Sequence, residues 1–143
     1  MFNDGAGEAM EFYCSVFKNS KILSSMPGPD GKPMGGKIEI DGREIMTFNG
    51  GPNFSFSEGN SFFVNAETQE EVDHLYDSLS EGGEKQPCGW LKDKFGVSWQ
   101  IIPPQLIKYM GDPDREKANR VLQAMFKMHK IDIQALEDAY QGS

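Results

Sequence analysis

The chain has 143 residues, 38% of them hydrophobic, with 22 acidic against 14 basic side chains and a net charge of −8. Such a surface repels phosphate backbones and carries no Lys/Arg cluster to offset it, which argues against nucleic-acid partners. No apolar run approaches the roughly 20 residues of a membrane span, no signal-peptide pattern is present, and two cysteines are too few for a disulfide scaffold, so a cytoplasmic protein is expected with no membrane contact.

In chain order, Met1-Phe2-Asn3 reads as the end of a strand, because Asp4-Gly5 immediately opens a helix. A strand typically runs about 5–6 residues, so part of the first strand is expected to lie before Met1. Glu8 to Phe17 carries Met10, Tyr13 and Phe17 at helical spacing. Ser20 to Met26 is a short strand, and Lys37 to Ile40 and Glu44 to Phe48 form a hairpin about Asp41-Gly42. Asn49 to Gly59 is a polar, Gly-rich loop. A second block follows: a strand over Ser61 to Val64, a helix capped by Thr68 with Glu71 reaching back, a stop at Gly82-Gly83, and strands over Gly89 to Lys92 and Val97 to Ile102.

The two blocks overlay. Phe2 falls on Val64, Met10 on Val72, Tyr13 on Leu75 and Phe17 on Leu79, as in a tandem strand–helix–three-strand repeat. Two such units would form a curved sheet enclosing a cup, the usual seat of a small ligand. From Gln105 onward the pattern is helical: Gln105 to Met110, a second helix with Asp112 as cap and Pro113 in its first position, and a last one capped by Asp132.

Candidate chemistry is sparse. The Gly5-Ala6-Gly7 turn lacks a third glycine, and Asp4 and Glu8 would repel a phosphate, so capping explains it. His74 and His129, each in an expected helix, have no ligand partner at metal spacing. Cys14 reads as an inert core thiol, and Cys88, at a strand start, has no fixed basic neighbour to activate it. Alternation sends Ser98, Gln100 and Ile102 to one sheet face and Trp99 with Ile101 to the other, so Gln100 points into the cup, where its amide needs a partner.

Five segments carry a family resemblance: Gly7 to Tyr13, Asn49 to Pro52, Thr68 to Asp73, Ala124 to Met128 and, most specifically, Cys-Gly-Trp-Leu-Lys-Asp-Lys-Phe-Gly-Val-Ser-Trp-Gln from Cys88 to Gln100. The chain resembles the PhnB-like family, many of whose members are labelled demethylubiquinone methyltransferase-like. The resemblance implies an α+β, glyoxalase-like (vicinal oxygen chelate) fold of two βαβββ modules with a C-terminal helical extension. The expected limits are 1–103 for the glyoxalase-like domain (modules 1–58 and 59–103) and 104–143 for the extension. It also implies homodimers and no settled activity.

Metal-dependent relatives of that fold place His or Glu on the first and last strands of each module. Carried over, Gln100 matches the last-strand position of the second module, Met46 that of the first, and about Gly59 the first strand of the second, with Ser61 the next cup-facing residue. These are poor ligands for a hard or borderline cation, so no metal and no other cofactor is expected. A cofactor site for S-adenosylmethionine needs a doubly wound sheet with a Gly-rich first turn, which this order of elements does not supply. Three readings follow. The favoured one is a metal-free protein, of uncertain enzymatic status, binding a small organic molecule in a cup lined by Met46, Phe48, Ser61, Phe63, Trp90 and Gln100. The alternatives are a divalent-metal lyase or dioxygenase using carboxylates such as Glu39 and Glu44, and a dimeric structural protein whose cup has collapsed.

Overall fold

A computed structural model describes all of residues 1–143, and the chain divides into two compact units, Met1–Ser57 and Glu58–Ser143. Each contains one strand–helix–three-strand module.

In the first unit, α1 (Ala6–Val16) is followed by an antiparallel sheet of β1 (Ser20–Pro27), β2 (Pro33–Ile40) and β3 (Arg43–Phe48) in that order. The helix forms because Ala9, Met10, Tyr13 and Val16 recur on one face, and that face is buried with Ile38, Ile40 and Thr47 of the sheet. The close approach depends on Gly36, where a Cβ would collide with the Ser24 carbonyl and sit 3.0 Å from the Met10 sulfur. Asp41 and Gly42, at φ 49° and 80°, make the two-residue turn between β2 and β3. The first strand is represented by a single parallel bridge: Phe2 N–H donates to the Phe48 carbonyl at 2.7 Å, and Gly50 N–H donates to that of Phe2.

In the second unit, β4 (Phe62–Asn65) leads to α2 (Gln69–Ser80), then β5 (Glu84–Lys85), β6 (Trp90–Lys92) and β7 (Ser98–Ile102), in the sheet order β4-β7-β6-β5. The first strand again lies parallel to the last, here over four residues. The repeat read from the sequence is therefore a repeat of topology. Thr68 caps α2 by accepting from Glu71 N–H at 3.2 Å, while the Glu71 carboxylate takes Glu67 N–H, one residue earlier than in a strict capping box. Val72, Leu75, Tyr76 and Leu79 bury one face of α2, and Leu91, Trp99 and Ile101 are buried on the sheet side. Burial pushes the Tyr76 phenol up to about 12, and its hydroxyl donates to the Gln86 carbonyl at 2.7 Å.

The C-terminal residues belong to the second unit as α3 (Pro104–Met110), α4 (Arg115–Met125) and α5 (Ile133–Gln141). Leu106, Val121, Ile131 and Leu136 close a small core on Ile102, the last residue of β7. Polar anchors tie this core back. Gln69 donates to the Ile131 carbonyl and accepts from Ile133 N–H, and Cys88 and Gly89 N–H donate to the carbonyls of Met128 and His129. Two expectations are corrected here. Asp114 caps α4, accepting from Glu116 and Lys117 N–H, while Asp112 accepts from Asp114 N–H and Tyr140 OH. His129 lies between α4 and α5 rather than in a helix.

The turn between β6 and β7 is built on one side chain. Asp93 is buried, and its carboxylate accepts from Phe95 N–H at 2.9 Å, Val97 N–H at 3.0 Å and the Trp99 indole N–H at 2.9 Å. Replacing it leaves those three donors without that carboxylate, and each buried unmet donor costs about 1–3 kcal/mol. Asp93→Ala is expected to lower unfolding free energy by about 3 kcal/mol in urea titrations, and by less in a Trp99→Phe background, which already lacks the indole donor.

Candidate functional site

The sequence-derived residues fall into two groups, one on each sheet. In the second unit, β4, β7 and β6 pair in register so that Phe63, Gln100 and Trp90 stand in one row across the sheet. Alternation turns all three away from α2, because Trp99 and Leu91, their neighbours along the strands, are buried on the helix side. Gln100 is half-buried, and its side-chain N–H donates to Ser61 Oγ at 2.8 Å. Ser61, Phe63, Trp90 and Gln100 are thus brought together as the alternation suggests. Gly59 lies in a turn ahead of β4, so the first-strand position assigned to it is not in the strand.

The next row on the same face holds Ser98 and Lys92, which pair in register. Lys92 forms an ion pair with Glu58, and Gln86 donates weakly to the same carboxylate at 3.5 Å. The hydrogen bond between Lys92 and Glu58, helped by their mutual attraction, holds the carboxyl below its usual range and the ammonium above its own. Ser98 is 2% exposed, and its hydroxyl has no hydrogen-bond partner. Sequence reasoning missed Ser98 and Lys92 as site residues, although alternation from Gln100 and Trp90 places both on this face.

In the first unit, Met46 and Phe48 lie on the sheet face away from α1, where they are 66% and 38% exposed. The parallel bridges refine their assignment. Phe2 pairs with Asn49 as Val64 pairs with Ile101, so Phe48, rather than Met46, occupies the place corresponding to Gln100. Glu39 and Glu44 stand opposite one another in register, and Glu44 is bound to Lys37 at 3.0 Å. Nowhere do three or more His, Cys, Asp or Glu side chains gather as a metal would need. The donors at the positions used by metal-dependent relatives are an amide, a thioether or phenyl ring, and a hydroxyl, a set that does not fit a divalent transition metal.

Neither cysteine is in a disulfide. Burial raises the Cys14 thiol above its usual range, which suits an inert packing role, and a contact with Ser20 only partly opposes this. Cys88 has φ 62° and directs its thiol at the Met125 carbonyl, 3.8 Å away, in the segment that anchors the C-terminal helices.

This architecture agrees with the comparisons. Residues 1–102 match the family model described as 3-demethylubiquinone-9 3-methyltransferase. The chain belongs to this family. It is similar to a solved PhnB protein from Bacillus cereus that carries the same methyltransferase description, with 32% identity, a TM-score of 0.64, and 72% of this chain and 94% of that one covered. Protein PA1353 from Pseudomonas aeruginosa, 21% identical, has a TM-score of 0.58 over 71% of this chain and 91% of its own, a likeness of fold. No curated protein matches the chain. The family match ends at the last residue of β7, so the C-terminal helices lie outside it.

The donor set leads to a direct expectation. Elemental analysis after gentle purification should find well below one equivalent of any divalent transition metal. Gln100→Ala should lower stability by no more than about 1–2 kcal/mol, the cost of one neutral hydrogen bond. Near-stoichiometric metal that is lost with Gln100→Ala would restore a metal centre.

Proposed function

We propose that the protein binds a small organic molecule, without a metal, on the sheet face of its second module turned away from α2. The observation that carries this reading is the Phe63–Gln100–Trp90 row: two aromatic side chains flank an amide whose N–H is already engaged by Ser61, leaving its oxygen to accept from a ligand. Phe63 is 49% exposed, a large apolar area for a sheet residue. Apolar walls with a few oriented polar groups are what small-molecule sites offer. Met46 and Phe48 supply a comparable apolar surface on the first module and are assigned to ligand contact as well.

Methyl transfer, the activity in the family's description, is not the reading we favour. Apart from the β4–β7 pair, the named strands of both sheets pair antiparallel, and the turn into α1 carries Gly5 and Gly7 without a third glycine, so the usual setting for S-adenosylmethionine is missing. A fragment screen by protein-observed NMR tests the proposal. Hits should shift the Trp90 indole and Gln100 side-chain signals, and Trp90→Ala should weaken them at least about tenfold, the equivalent of one lost aromatic contact. A diverse aromatic library that leaves those signals unmoved would sink it.

The two free cysteines suit a reducing compartment, and we assign the protein to the cytoplasm. No helix is long and apolar enough to cross a membrane. We also assign it a homodimeric state. The first unit exposes Ile22, Leu23, Met46, Phe54 and Phe56, and β1 is an edge strand paired only with β2. Apolar surface beside an open edge favours closed two-fold pairing. Light scattering in dilute, moderate-salt buffer is expected to return about twice the chain mass, and a clean monomer would contradict the assignment.

A further inference from the structure

We infer that the molecule bound on the second module is a planar aromatic carboxylate, its ring against Phe63 and Trp90 and its carboxylate at Ser98, Lys92 and Ser61. This rests on the ligand-binding reading above and goes further by specifying charge. The argument starts from Ser98. Its hydroxyl is buried and has no partner, although a buried donor ordinarily finds an acceptor. It stands on the face shared with Gln100 and in register with Lys92. On the other side of β7, the Ser61 oxygen already accepts from Gln100, so its proton is directed elsewhere. Lys92 uses one N–H toward Glu58 and keeps two.

The polar groups are therefore unequal. Two hydroxyls, the second Gln100 N–H and an ammonium can still donate, against one amide oxygen, the Glu58 carboxylate being taken by Lys92 and Gln86. An excess of uncommitted donors, the ammonium among them, favours an oxyanion over a neutral or cationic group. A carboxylate has four lone-pair sites for these donors, and its attached ring lies in the plane that the aromatic row can cover. Glu58, bonded to Lys92, and Glu84, opposite Lys92 in register on β5, are the opposing charges on this face. Because Glu58 is the one bonded to Lys92, it sets most directly how much of the ammonium's field a ligand receives.

The test uses the full chain and three probes of one shape: 2-naphthoate, 2-naphthalenemethanol and 2-naphthylmethylamine, titrated against the Trp90 indole signal. The naphthoate is expected to bind at least tenfold tighter than the alcohol, with the amine weakest. Ser98→Ala and Lys92→Met should each reduce naphthoate affinity about tenfold and leave the alcohol nearly unchanged. Glu58→Gln should strengthen naphthoate binding severalfold, a gain that a merely structural role for the ion pair would not produce. Equal affinity for naphthoate and alcohol, or preference for the amine, overturns the inference while the ligand-binding reading stands. Failure of all three probes to move Trp90 counts against both. Should Ser98→Ala lose its fold, the Lys92→Met and Glu58→Gln pair, with their opposite expected signs, decides the matter.

Discussion

The placement of the candidate site depends on the Asp93 carboxylate. β6 has three residues and β7 five, and neither has the length to fix its own register. Asp93 gathers two backbone N–H groups from the turn and the indole N–H of Trp99, a residue inside β7. The turn and the strand are thereby fixed to each other, with Trp99 on the α2 side. Because side chains alternate, fixing Trp99 inward fixes Ser98 and Gln100 outward, and the antiparallel pairing then aligns Trp90 with Gln100 and Lys92 with Ser98. A slip of one residue would turn the whole row toward the helix. The candidate face is set by a bond on the opposite side of the sheet.

The two modules solve the same problem with different materials. In the first, a Gly36 without a side chain lets strand and helix approach, and a short turn with two residues at positive φ closes the hairpin. In the second, the approach is filled by large side chains, Tyr76 and Trp99, each using its polar atom in a hydrogen bond. Common topology with different packing explains why the overlay of the halves rests on spacing rather than on shared letters.

That contrast also marks what could be read in the sequence. Helical spacing of Met10, Tyr13 and Phe17, and of Val72, Leu75 and Leu79, exposed the repeat because burial imposes a period on residue type. Alternation along β7 put Gln100 on the face opposite Trp99 for the same reason, and strand pairing sets Phe63 and Trp90 beside it. Strand β5, two exposed residues, carries no pattern at all. The cap of α4 was misplaced because Asp112 and Asp114 flank Pro113 with equal chemistry, and only the geometry shows which carboxylate meets the first helical N–H groups. The unmet hydroxyl of Ser98 is invisible in a sequence, since a missing partner is a property of space rather than of order along the chain.

The attachment of the C-terminal helices has an evolutionary consequence. Met128, His129, Ile131 and Ile133 bond to the module through their backbone atoms, with Gln69, Cys88 and Gly89 opposite them, while Ile131 and Lys130 also engage it by side chain, in the core and on Asp73 and Asp77. A joint made of main-chain groups keeps its bonding whatever side chains occupy 128 and 129. The backbone bonds at 128 and 129 therefore persist through changes of letter, with constraint falling on Gln69, on the buried Ile131 and on Gly89, where a Cβ would strike Ile101 and Ile102. Appendages joined in this way can be kept by a lineage long after their letters have ceased to align.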